Sequence, residues 1–164
     1  MKRNVVWTIF LFATLMRGLA AGASAQVPRT CSLTGVAGEW GPTLTGTVIP
    51  PTGPVLFAAV QRLTIDAAGN VSGTQTASLG GSLREETIQG NITVNSDCAG
   101  TLTVGIYGQS GNLSRTAVWA VVFVDNEREM RAVIKSIVLA NGTPVPAVLT
   151  MDSKKLFHRM LFEK

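Results

Sequence analysis

The sequence predicts an all-β domain: an antiparallel up-and-down β-barrel of about eight strands. Three observations lead there. Apolar and polar residues alternate with a period of two, segment after segment. Short turns containing Gly, Asn or Asp separate the segments. No stretch from Leu33 to Met151 carries a capped apolar repeat of 3.6 residues. The alternation is plainest in the middle, where Ile88, Gly90, Ile92 and Val94 share one face and Thr87, Gln89, Asn91 and Thr93 the other. Leu102, Val104 and Ile106 oppose Thr101, Thr103 and Gly105 in the same way. One apolar and one polar face mark an antiparallel sheet wetted on one side. Eight such segments in hairpin order can close on themselves and remove their edges. A β-sandwich is the alternative, and it fits less well because its connections would more often be long.

The first element is not part of the barrel. Residues 1–25 read as a signal peptide, with Lys2 and Arg3 as its positive start and Val5 to Met16 as its apolar centre. Ala23-Ser24-Ala25 offers small residues for a peptidase, which places cleavage between Ala25 and Gln26. Arg17 interrupts the apolar run, so an uncleaved N-terminal anchor is the rival reading. Export to the periplasm or the extracellular space is the expectation, and no later stretch is long and apolar enough to cross a membrane.

Residues 26–153 form the expected barrel domain. Val27 to Thr30 is a lead-in, and Glu39 to Ile49 the first strand. Pro50, Pro51, Gly53 and Pro54 make a connection that no central strand tolerates. Val55 to Asp66 and Val71 to Leu79 are joined by Ala67-Ala68-Gly69-Asn70, where Gly69 suits a positive φ. After Gly80-Gly81 come Arg84 to Val94, a turn carrying Cys98, and Thr101 to Tyr107. Arg115 to Val124, Glu129 to Leu139 and Val145 to Met151 complete the set. Residues 154–164 are a tail, in which Leu156, Phe157, Met160 and Leu161 recur at helical spacing. Such a tail either packs as an amphipathic helix or frays.

Charge and composition exclude several functions. The chain has 14 Lys and Arg against 10 Asp and Glu; Lys2, Arg3 and Arg17 leave with the signal, so the mature chain of about 139 residues carries about +1. Without a basic stripe interleaved with aromatics, nucleic acid is not an expected partner. The one histidine, His158, lies in the tail, which removes a Ser-His-Asp triad or a His-based metal site from the barrel. No P-loop or dinucleotide-binding glycine pattern occurs, and neither a cofactor nor a metal is expected. The four sites matching the glycosylation sequon are the chance product of a chain rich in Asn, Ser and Thr. Cys31 and Cys98 form an even pair in an exported chain and point to a disulfide, the alternative being two separate buried thiols.

Two stretches resemble a group of small exported bacterial proteins. One runs from Phe57-Ala58-Ala59-Val60-Gln61-Arg62 through Asp66 to Gly69-Asn70-Val71-Ser72-Gly73-Thr74. The other is Gly90-Asn91-Ile92-Thr93-Val94-Asn95-Ser96-Asp97-Cys98-Ala99-Gly100-Thr101. Val122 to Asn126 followed by Glu129-Met130-Arg131 is similar to the group's later strand-turn-strand. The resemblance covers most of the mature chain and implies a lipocalin-like or allene-oxide-cyclase-like β-barrel. No catalytic residue of the plant cyclases has a counterpart here, so no activity is carried over.

Strand parity then selects candidate site residues. Gln61 shares its face with Phe57, Leu63 and Ile65, and Arg84 and Glu86 share theirs with Ile88. Phe57, Gln61, Arg84 and Glu86 are therefore the candidate ligand-binding set, polar groups that fix the head of a small ligand among apolar walls. The alternative leaves them at a strand end, in water. Ala117 to Phe123 is apolar on both faces; with Val118, Ala120 and Val122 turned inward, Trp119, Val121 and Phe123 form an outer stripe. Val133, Ile137 and Leu139 would extend it, and a second subunit or the tail would cover it, so a homo-oligomer is expected. Three functions stay open: a non-enzymatic exported barrel for a small apolar or amphipathic ligand, a cofactor-independent isomerase or cyclase using a Glu or Tyr in the barrel, and an interaction module with a filled barrel.

Overall fold

The structure is a computed structural model and describes residues 30–156. It opens with one helical turn, α1 (Leu33–Val36), followed by β1 (Gly38–Val48), β2 (Val55–Ile65), β3 (Asn70–Leu79) and β4 (Ser82–Val94). Then come β5 (Ala99–Tyr107), β6 (Leu113–Val124), β7 (Glu129–Leu139) and β8 (Ala147–Lys155). Each strand pairs antiparallel with the next, and β8 returns to β1 to close an up-and-down barrel. The proposed signal and its cleavage site at Ala25 and Gln26 lie outside the described residues, as do Phe157, Met160 and Leu161 of the tail. Lys154 and Lys155, assigned to the tail by sequence, belong to β8. No described helix is long and apolar enough to cross a membrane.

The antiparallel order gives the barrel two unlike ends. At one, the turns at 66–69, 95–98 and 125–128 surround a plug. Ser32 caps α1, its hydroxyl accepting from the Gly35 N–H at 3.0 Å, and the chain turns inward at Val36. Trp40 donates its indole N–H to the Val36 carbonyl at 2.9 Å and packs edge-on against Phe123. Glu127 accepts from the Ser32 N–H, and Lys155 donates to the Gly35 carbonyl. Cys31 and Cys98 are disulfide-bonded, with Cα atoms 4.9 Å apart, which ties the lead-in to the turn before β5. Composition did not announce α1, because four residues are too few for a helical period.

The outer stripe expected on β6 is not there. Trp119, Val121 and Phe123 are buried and face the interior, whereas Val122 is 42 % exposed on the outer wall. The physical reason is volume. Both faces of Ala117 to Phe123 are apolar, so alternation is silent, and the larger side chains fill the barrel. On β7 the register slips between Val118 and Trp119 of β6: Val118 faces Ser136, Trp119 faces Ile134, and Lys135 is the extra residue. That bulge reverses the parity of the strand. Val133 points outward, but Ile137 and Leu139, expected beside it, turn to the interior. With the stripe goes the argument for an oligomer built on Trp119, Val121 and Phe123.

Strand curvature has its own requirement on β1. Gly46 has φ +147°, and a Cβ there would collide with the Val148 carbonyl oxygen of β8. Glycine lets the two backbones close the barrel at that point.

Candidate functional site

The other end of the barrel, ringed by the connections at 49–54, 80–81, 108–112 and 140–146, opens into a cavity of about 260 Å³. Its walls are the inward residues of the upper barrel. Leu44, Val104, Ala117 and Trp119 lie deepest, and Val48, Val55, Leu79 and Leu139 stand toward the mouth. Below Trp119 the interior is filled by Leu63, Leu102, Met151, Phe123 and Trp40, all buried. The molecule is therefore a cup, solid in its lower half and hollow in its upper half.

All four candidate residues, Phe57, Gln61, Arg84 and Glu86, line this cavity. Register explains why three polar groups meet: Gln61 stands opposite Gln75, and Gln75 opposite Glu86, across β2, β3 and β4. Gln75 is 3 % exposed and Glu86 6 %, so the row lies inside the wall and not at a wetted strand end. Arg84 sits two residues nearer the mouth and is exposed.

The row is a directed chain of hydrogen bonds. Glu86 accepts a bidentate fork from Arg115, Nη1 to Oε1 and Nη2 to Oε2, both at 2.7 Å. The amide of Gln75 donates to Glu86 Oε2, and its carbonyl accepts from Gln61 Nε2 at 2.7 Å. An ionised carboxylate only accepts, which fixes the orientation of both amides. Burial pushes the Glu86 carboxyl up, but the Arg115 fork, the Gln75 amide and the charge of Arg84 outweigh it and hold the group below the ordinary carboxylate range. Glu86 is thus a charged structural anchor.

Two members of the network escaped the reading of the sequence. Arg115 marks only the start of a strand in the sequence, and the parity that turns Trp119 outward gives it no place in the cavity. A second slip, between Ile106 and Tyr107, seats Ser114 and Arg115 together at the cavity, and Arg115 reaches past the end of β5 to Glu86. Gln75 was legible from hairpin arithmetic alone, because the offset that sets Ile65 opposite Val71 sets Gln61 opposite Gln75. The one tyrosine, Tyr107, lies on the outer wall, where its ring comes close to Gly105. Among the described residues no cluster of His, Cys, Asp or Glu could hold a metal ion. No protein-family model matches the chain, and no curated protein does. The closed eight-stranded barrel is compatible with a lipocalin-like fold.

Proposed function

We propose that this protein is an exported, non-enzymatic β-barrel of lipocalin-like or allene-oxide-cyclase-like type that binds a small apolar or amphipathic ligand at its open end. The observation that carries the reading is the cavity itself: apolar walls and one ordered polar row at the open end of the barrel, the usual composition of a small-molecule site. A barrel serving only as a packed interaction module would have filled its upper half with side chains, as the lower half is filled. An isomerase or cyclase needs a group free to move a proton. Glu86 is committed on both oxygens to Arg115 and Gln75, and Tyr107 stands outside. The disulfide between Cys31 and Cys98 supports export.

Native mass spectrometry of protein taken from its own host tests this reading. It should show a chain beginning at Gln26, two mass units light for one disulfide, with a non-covalent small molecule retained. A chain beginning at Met1, or one without any adduct under conditions that preserve non-covalent complexes, would count against it.

A further inference from the structure

Resting on that ligand-binding reading, we propose that the ligand is a small monoanion: an apolar body of about nine non-hydrogen atoms bearing one carboxylate or comparable single negative charge, received by Arg84 at the mouth. Size comes from the cavity, since about 260 Å³ at roughly 30 Å³ per water-sized group holds about nine such groups.

Sign comes from the charges that face it. Two guanidiniums, Arg84 and Arg115, stand against one carboxylate, Glu86, so the cavity carries one net positive charge. Glu86 and Arg115 neutralise each other through their fork. Arg84 makes no ion pair among the described residues. Its chain neighbour Glu85 points to the opposite face, where Thr76 Oγ1 donates to it at 3.0 Å, and does not neutralise Arg84 from within. The charge that faces the cavity is therefore net positive. The rest of the lining is aliphatic or aromatic, so a second negative charge would be desolvated without a partner. A cation would face the uncompensated Arg84 guanidinium, and a neutral ligand would leave Arg84 unused.

The test uses the folded, disulfide-bonded protein, titrated by calorimetry with octanoate, 1-octanol and octylammonium at pH 7 and low salt. Octanoate should bind roughly three- to tenfold tighter than 1-octanol, and octylammonium weakest of the three. Raising the salt should narrow the gap. Arg84→Gln should bring the octanoate-to-octanol ratio close to one; the site is exposed, and circular dichroism checks that the fold survives. If 1-octanol or octylammonium binds the unaltered protein as tightly as octanoate, or if Arg84→Gln keeps the preference, the anion assignment is overturned while the binding reading stands. Saturable binding of none of the three overturns both.

Discussion

At Glu86 a carboxylate lies buried in an otherwise apolar wall, and its neighbours decide its state. Removing one partner of such a pair leaves an uncompensated charge, so Arg115→Met should destabilise the protein by about 3–5 kcal/mol in urea denaturation. The double variant Glu86→Leu with Arg115→Met should recover most of that loss; a single variant costing under about 1 kcal/mol would show the pair to be solvated. The same geometry sets a pH dependence. The folded pKa of Glu86 lies below the ordinary 4.5, so the unfolded chain binds the proton more tightly. The stabilisation is whole above pH 4.5 and drains away as pH falls through the folded value. Denaturation midpoints between pH 7 and pH 3 should fall less steeply for Glu86→Gln than for the unaltered chain. At this scale strand parity put Phe57, Gln61, Arg84 and Glu86 on the inner face, where they line the cavity. It concealed Arg115, because an arginine beside a strand apolar on both faces reads most simply as facing solvent.

Among the elements, β6 and β7 separate what periodicity can say from what it cannot. Every strand was located within a few residues of its observed span, because Gly, Pro and Asn-containing turns punctuate the chain. The inward face was legible wherever polar residues mark the outer one, as on β4 and β5. On β6 nothing marks it, and the choice falls to packing volume, which only the closed barrel defines. On β7 the Lys135 bulge resets parity midway, and a single sequence carries no sign of which residue will be the extra one. A pair of substitutions reads the parity of β6 directly. Val121→Asp buries a charge among Trp40-side core residues and should cost about 3 kcal/mol or more. Val122→Asp lies on the exposed outer wall beside Arg131 and should stay within about 1 kcal/mol. Equal costs, or the reverse order, would restore the outer stripe and the oligomer argument with it.

Taken whole, the molecule divides into a fastened end and an open one. The disulfide closes a loop of 67 residues and contributes about 4 kcal/mol in the chain-entropy view. Replacing Cys31 and Cys98 by Ser should lower stability by about that amount and raise amide exchange at Val36 to Trp40, where the plug is held. Amides around the mouth should change little; uniform acceleration would mean that the plug is no separate unit. Up-and-down order was legible from the short turns, and closure from the need to hide edges. Hollowness was not, because it depends on how far the side chains of eight strands reach into a shared interior. It is also the claim on which the functional reading turns. Methyl resonances during a titration with 1-octanol measure it most directly. The account predicts saturable shifts at Ala77, Ala117, Ile137 and Leu149 around the cavity, with Met130 and Met151 in the packed lower half unmoved. Shifts confined to the outer wall, or none that saturate, would contradict it.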